Sequence, residues 1–490
     1  MNLIENVTNA GKALFGYNAI EANKGKRQTP ATKTKHENAV LPYSKRKKMN
    51  ATAQEQMRNH ALCAWMIRKH LDYVSKFHVS IRTGKDEIDT MLNQILSWHG
   101  TPENLDIAGR LGRDEMFRLY ELEKVVNGDA GLIKLDNVKL QGLESDLIAK
   151  GNGAPEEVGD SGLIVDKQTG RRQQFSICNR GDRGTSIDFD HLEPAENIIF
   201  DGYWSRLTSQ YRGISPLTTA LNTVQDISEA LEYNLVKAKM HALFGITIER
   251  EAEEDSDIAA NDEEDDTTTD SNVTLNPTGF MVMDLQPGEK ANTIESGTPS
   301  TEFVEGTYLF VHMAMLALDI PITCFDSRRS SFSARIADLN EYEVSTDSKR
   351  TKNKYVRQAY SNWLLEEIWN GGYMWDLRSA AGRAGMSLMD VQKAVEWIAS
   401  GSPWLDKYKQ MQGDALAIDR GADNIIDVCR RRGFDYFDNI EKQSKAEAYA
   451  KANGISLIKG GSGQRSIEEI IAAEVESLIA NKNTEGAGNE

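Results

Sequence analysis

The side chains with the most chemical potential in this 490-residue chain lie between Ile187 and Asp201, where Asp188, Asp190, His191, Glu193 and Asp201 gather four carboxylates and an imidazole. Such a set could hold a divalent ion or move protons. The reaction class it would serve is a metal-dependent nuclease or phosphodiesterase, with Asp188, Asp190, His191 and Asp201 around the ion. The spacing meets no fixed ligand pattern, and carboxylates at strand edges and turns explain it more simply. Cys63, Cys178, Cys324 and Cys429 stand singly, without a C-x-x-C or a His pair at zinc spacing, so neither disulfides nor a structural metal is signalled. No Walker A sequence, G-x-S-x-G elbow or H-E-x-x-H helix occurs. The expectation is a protein that is not an enzyme and uses no metal or cofactor.

Charge carries more information than these clusters. The formal net charge is -17, with 40% hydrophobic and 27% charged residues, whereas a protein that grips DNA phosphates usually shows a basic balance. Any nucleic acid is therefore handled loosely or locally. Residues 1–50 hold ten Lys/Arg, including Lys45-Arg46-Lys47-Lys48, against Glu5, Glu21 and Glu37. They read as a basic, solvated tail without sustained periodicity. Glu249 to Asp270 reverses the sign, with twelve acidic side chains against Arg250 alone. The longest apolar run, Tyr308 to Ile320, contains His312 and is too short to span a bilayer, and no signal-peptide pattern opens the chain.

The elements that would position these groups are organised around Pro216 to Phe244. Ser215 can cap this helix, Pro216 suits its first position, and Gly245 supplies a left-handed stop. Leu217, Leu221, Val224, Ile227, Leu231, Leu235, Ala238 and Ala242 form one apolar stripe that predicts a buried face. Asp226, Glu229 and Glu232 line the opposite face, and Lys237, Lys239 and His241 complement the dipole at its end. Before it, the pattern predicts helices over Ala53–Lys76 and Asp86–Trp98, and a third from Thr101 through Leu105, Leu111, Phe117 and Leu122. Strand texture follows at Phe77–Arg82, Val125-Val126, Leu132–Leu135, Gly162–Val165, Gln173–Cys178 and Ile187–Asp201. After it come strands at Ile246–Ile248 and Phe280–Leu285, an apolar helix at Phe303–Leu318 closed by Pro321, and a loop at Thr323–Ser333. A long helix then runs to about Trp369 with a basic flank between Lys349 and Arg357. Short helices occupy the last quarter, including one at Ser387 with Asp390 and stretches around Trp397, Leu416, Ile425 and Tyr436. A Gly460-Gly461-Ser462-Gly463 linker leads to a capped amphipathic helix from Ser466.

Five strings in order, Tyr211-Arg212-Gly213-Ile214-Ser215-Pro216, the run Glu232, Lys237, Ala238, Lys239 and Ala242, Leu285-Gln286-Pro287-Gly288-Glu289, Ser330-Ser331-Phe332-Ser333-Ala334-Arg335 and Trp404-Leu405-Asp406, resemble the lambda-type portal family of tailed bacteriophages over roughly residues 50–450. The resemblance implies an α+β ring subunit. Residues 51–214 would be a wing, 215–245 and 299–322 paired stem helices, 246–298 a clip with the acidic insert, and 323–333 a tunnel loop. Residues 334–385 would return through the wing, 386–459 form a helical crown, and 460–490 hold the Gly linker and last helix.

It further implies a homo-oligomeric ring of twelve at one capsid vertex. Double-stranded DNA would pass non-specifically, terminase and head-completion or adaptor proteins would dock, and capsid and scaffolding proteins would assemble around it. The protein would sit in the virion and, during assembly, in the host cytoplasm, with no membrane partner. On this reading Asp326, Ser327, Arg328, Arg329, Ser330, Ser331 and Arg335 are channel candidates, and Asp226, Glu229, Glu232, Lys237 and Lys239 mark the stem face. Glu253, Glu254, Asp255, Asp262, Glu263, Glu264, Asp265 and Asp266 would form a docking surface for the motor or connector. The readings left beside it are the metal-dependent nuclease and another phage structural or adaptor protein.

Overall fold

The structure is a computed structural model that describes residues 35–181, 184, 186–243, 246–250, 289–293, 300–371, 373–401 and 407–454. Two compact units divide it, residues 1–399 and 400–490. The first begins with α1 (Glu37–Val40) and α2 (Tyr43–Asn59), so the Lys45-Arg46-Lys47-Lys48 cluster is helical and not a solvated arm. Arg46 sits one helical repeat from Met49, Asn50 and Ala53 and turns inward with them, 3% exposed. One cation of a basic run therefore belongs to the core. The helix expected over Ala53–Lys76 breaks at His60, whose extended backbone separates α2 from α3 (Ala61–Val74).

β1 (Phe77–Ile81) and α4 (Asp86–His99) follow as the periodicity predicts. The single helix expected from Thr101 is instead α5 (Pro102–Leu105) and α6 (Arg113–Asn127). The Asp106 carboxylate causes the break by accepting from the amides of Ala108, Arg110 and Leu111, an arrangement that competes with continued helix. Val125-Val126, read as a strand, are the buried last turn of α6, which Gly128 ends with φ 96°. Two apolar β-branched residues in a row fit a fully buried helix end as well as a strand.

The β-module has two antiparallel three-stranded sheets. β2 (Asp129–Lys134) lies between β3 (Leu140–Leu143) and β7 (Ile198–Gly202), while β5 (Arg172–Arg180) lies between β4 (Leu163–Val165) and β6 (Ile187–Pro194). Ile133, Leu143, Ile148, Leu163, Phe175, Ile177 and Ile198 form the core they share.

Ser215 then accepts from Leu217 N and opens a 3-10 turn at Pro216–Thr219 that runs into α7 (Leu221–Leu243). The stop expected at Gly245 lies outside the described residues. So do the strand expected at Phe280–Leu285 and the acidic block beyond Arg250. β8 (Ile246–Arg250) pairs antiparallel with β9 (Glu289–Thr293). α8 (Thr301–Met315), capped by Ser300, continues into a 3-10 turn at Leu316–Leu318, which Asp319 ends in the left-handed region at φ 59°. α7 and α8 pack side by side. Short 3-10 turns at Ile322–Cys324 and Ser327–Arg329 replace the irregular loop expected there, and α9 (Phe332–Gly371) extends for 40 residues.

α10 (Leu377–Arg383), α11 (Leu388–Ala394) with its Ser387/Asp390 capping box, and β10 (Val395–Ala399) complete the first unit. β10 pairs antiparallel with β1, so Trp397 is on a strand and not in a crown helix. Val395 and Trp397 alternate inward with β periodicity and meet Phe117, Tyr360 and Leu364 in the largest core. The second unit has α12 (Lys407–Asp419), α13 (Ile425–Arg431) and α14 (Tyr436–Ala452), the last two capped by Asn424 and Asp435. Trp404-Leu405-Asp406 and the helix expected from Ser466 lie outside the described residues.

Trp397 is fully buried, stacks with the Arg113 guanidinium at 5.2 Å and donates its indole N–H to Ser361 Oγ at 3.3 Å. Trp397→Ala removes the wedge between α9 and β10 and should cost about 3–5 kcal/mol. Urea titration reads this as a lower midpoint, and an unchanged midpoint would refute the placement of β10 in the core.

Candidate functional site

The carboxylate and imidazole cluster does not converge. Asp188 accepts from Asn152 Nδ2 at 2.9 Å, and His191 bridges Asp190 at 2.7 Å and Glu193 at 3.2 Å on the exposed side of β6. Asp201 lies in the other sheet, on β7, and pairs with Lys124 at 2.7 Å. Among the described residues no group of three or more His, Cys, Asp or Glu side chains is placed to hold a metal ion. The carboxylates spend their charge on local partners.

The built polar structure lies deeper, where β-module and stem meet. Arg212 donates to both Asp129 oxygens at 2.7 Å, to the carbonyls of Ile148 at 2.6 Å and Ser161 at 2.9 Å, and to Ser145 O at 2.7 Å. Gly213 N adds a bond to Asp129 at 2.7 Å, and Ser145 Oγ another at 2.6 Å. A Cβ on Gly213 would lie 2.0 Å from Gly128 O, so only glycine lets the chain pass there. Two residues on, Ser215 Oγ donates to Val125 O at 2.6 Å while it caps the turn that starts the stem. Arg46 approaches Asp129 from α2 at 4.0 Å, an ion pair and not a hydrogen bond. Burial alone would raise the Asp129 pKa, but the Arg212 guanidinium outweighs it and holds the carboxyl below its ordinary range. Burial, with Arg212 beside it, lowers Arg46 to about 9.

A second hub centres on Glu121 of α6. Its carboxylate meets His70 Nε2 at 3.2 Å, Tyr203 OH at 2.9 Å, Asn353 Nδ2 at 3.0 Å and Lys124 Nζ at 3.0 Å, joining α3, α6, α9 and the loop after β7. Burial would raise this carboxyl, yet Lys124 and His70 hold it well below its usual range. The sequence reading missed Asp129, Glu121 and Arg46 as partners. Only Asp129, the single acid opening the apolar strand Asp129–Lys134, carried a local signal; Arg46 and Glu121 sit among other charges that mask theirs.

The stem face differs from the expectation in one respect. Leu217, Leu221, Val224 and Ile227 are buried against Ala53, Met66, Ile67 and Val125, but the same stripe continues to Leu231, 49% exposed, and Leu235, 54% exposed. Tyr233 and Val236 are exposed too, on other faces of the helix. On α8 and the turn after it, Leu309, Phe310, Met313 and Leu316 are likewise exposed, while Val311, Ala314 and Met315 face inward. Among the described residues, the protomer's own elements cover only the first half of the stripe. Asp226, Glu229, Glu232, Lys237 and Lys239 are exposed, as the polar face predicts, with Gln225 donating to Glu229.

At the other end of α8, Asp326 accepts from Arg328 N at 3.0 Å and organises the Ser327–Arg329 turn. Ser330 Oγ donates to Ser327 O, Ser331 Oγ accepts from Ala334 N at the start of α9, and Arg335 is exposed. The flank between Lys349 and Arg357 is not a free basic surface. Lys349 pairs with Asp319 at 2.7 Å, Arg350 is buried against Glu343 and Tyr73 O, and Arg357 is buried on the rings of Phe77 and Phe117. The proposed docking carboxylates Glu253, Glu254, Asp255 and Asp262 to Asp266 lie outside the described residues.

Residues 24–348 match the family model described as phage portal protein, lambda family. Among solved structures, the chain is similar to the neck of a native GTA particle computed with C12 symmetry, at 13% identity and a TM-score of 0.43 over 78% of this chain and 92% of that one. It is also similar to the neck of an empty GTA particle computed with C6 symmetry, at 12% identity and a TM-score of 0.39 over 76% and 90%. No curated protein matches the chain. Four of the five strings quoted above lie inside the family match, and Trp404-Leu405-Asp406 lies beyond it.

Glu123 stands next to the Arg212 site and accepts from Ser145 N and from Asn127 Nδ2, both at 2.7 Å. Burial pushes its pKa up to about 7, with Asp146 and Glu144 adding to the rise. A carboxyl raised above its unfolded value of about 4.3 lowers stability progressively as pH climbs from that value through 7. Glu123→Gln should therefore be more stable than the parent at pH 8, by roughly 1–3 kcal/mol, with the gap closing by pH 5. Denaturant titrations at the two pH values check this, and a gap that does not change with pH would contradict it.

Proposed function

The chain belongs to the lambda family of phage portal proteins, head–tail connectors that are structural and not enzymatic, and we propose that it works as one subunit of a closed ring at a capsid vertex. The observation that carries this reading is the uncovered stem. Among the described residues, Leu231 and Leu235 on one face of α7 and Leu309, Met313 and Leu316 along α8 and the turn after it are apolar side chains left uncovered, which a lone subunit has no reason to maintain. A head-to-tail contact that sets this surface of one subunit against the next, repeated about an axis, closes into a ring and covers it in every copy. Twelve subunits is the number expected of the family.

Double-stranded DNA passes through such a ring without sequence recognition. Twelve copies at -17 each bring roughly two hundred negative charges to the assembly, so phosphates are repelled from most of the surface and sliding meets little adhesion. Exposed cations, Arg328 on the turn between α8 and α9 and Arg335 in the first turn of α9, supply local contacts. Terminase and head-completion proteins dock at the clip, residues 246–298, where the acidic block offers a charged surface. Capsid and scaffolding proteins meet the wing during assembly in the host cytoplasm, and the finished ring remains in the virion. No helix among the described residues is long and apolar enough to cross a membrane.

Because Leu231 is half exposed in the protomer, Leu231→Asp should leave folding within about 0.5 kcal/mol of the parent. The same change puts an unpaired carboxylate into the subunit contact and should abolish ring formation. Thermal melts together with light scattering and negative-stain microscopy separate the two effects. Rings of parent size formed by the variant would overturn the stem contact.

A further inference from the structure

Two consecutive arginines at the turn between α8 and α9 have opposite surroundings. Arg329 lays its guanidinium over the Tyr308 ring at 4.3 Å, donates to both Glu305 oxygens at 2.9 and 3.0 Å, and lies 3.7 Å from Asp326. Glu305 and Tyr308 are three residues apart on α8 and so share one face of that helix. The Arg328 side chain is 92% exposed, with Asp326 of its own turn at 3.4 Å. Asp326 also caps the turn through Arg328 N, which fixes the backbone from which the side chain projects.

We propose that the two arginines divide the work of this turn: Arg329 straps it to α8 through Glu305 and Tyr308, and Arg328 is the cation it presents to the phosphates of passing DNA. Both Glu305 oxygens sit on one guanidinium nitrogen, Nη1, and the Tyr308 ring covers the guanidinium face, so Arg329 would have to break both contacts before it reached a phosphate. Arg328 gives up one weak, solvent-screened contact. Exposed Arg328 then offers a point contact that forms and breaks as the duplex moves, while the strap keeps the turn from following it. The strap rests on geometry alone. The phosphate contact rests on the portal reading.

Chymotrypsin reads the strap in the unassembled full-length chain, because the exposed Phe325 and Phe332 flank the turn. Arg329→Ala and Glu305→Ala should each speed cleavage at these sites about fivefold. The double variant should go no further, and the exchanged pair Glu305→Arg with Arg329→Glu should return toward the parent rate. Arg328→Ala should cleave at the parent rate. Additive single effects, or equal acceleration by Arg328→Ala, overturns the strap.

The contact is read from DNase-protected DNA in particles assembled with each variant over a series of salt concentrations. Arg328→Ala should shift the salt dependence and Arg328→Lys should restore it. A parent-like salt dependence in Arg328→Ala overturns the assignment of Arg328. Parent particles that protect no DNA would overturn the portal reading and the phosphate contact together, and the cleavage result would still decide the strap.

Discussion

Arg212 and Asp129 are both almost completely withdrawn from water and pair at 2.7 Å, so each supplies the opposite charge the other's burial requires. Removing one partner of such a pair leaves a buried, uncompensated ion and typically costs about 3–5 kcal/mol. Here the pair also carries architecture. Arg212 collects carbonyls from Ser145, Ile148 and Ser161, Asp129 collects the Gly213 amide and the Ser145 hydroxyl, and Arg46 brings α2 to the same carboxylate. Three residues beyond Arg212, Ser215 caps the stem. The direction in which the stem helix leaves the β-module is thus set by one ion pair and one glycine too tightly packed to accept a side chain. That direction decides where the apolar stripe of α7 points.

Much of this was legible in the sequence, and the failures have physical causes. Ser215, Pro216 and the i, i+3, i+4 stripe located the stem helix because capping and helical periodicity are local properties. Periodicity predicts Leu231 and Leu235 as buried with the rest of the stripe, because helical spacing carries no information about where along the helix the covering elements end. Val125-Val126 was assigned to a strand because two β-branched residues fit either state in isolation. Arg46 was assigned to a solvated tail because its neighbours are cations, and only the distant Asp129 explains its inward turn. β10 escaped because its partner, β1, is far away in sequence and its five residues follow a helix directly.

The candidate chemistry shows the same division. The three carboxylates Asp188, Asp190 and Asp201 are spread over two sheets and matched with Asn152, His191 and Lys124. The charges that matter structurally were invisible as a motif. Glu121, His70, Lys124 and Asn353 come from three separate helices, and nothing in their spacing announces that they meet. Such a network ties the long helix α9 to α3, α6 and the loop after β7.

The ring reading depends on the stem stripe being covered by the neighbouring subunit, and hydroxyl-radical footprinting of the full-length protein measures that coverage directly. Oxidation of Leu231, Tyr233, Leu235, Leu309, Phe310 and Met313 is compared between unassembled chains and isolated rings, with the exposed Tyr355 as internal reference. Subunit packing through the stem predicts strong protection of the six residues in the ring. Equal oxidation of these residues in both states would contradict it.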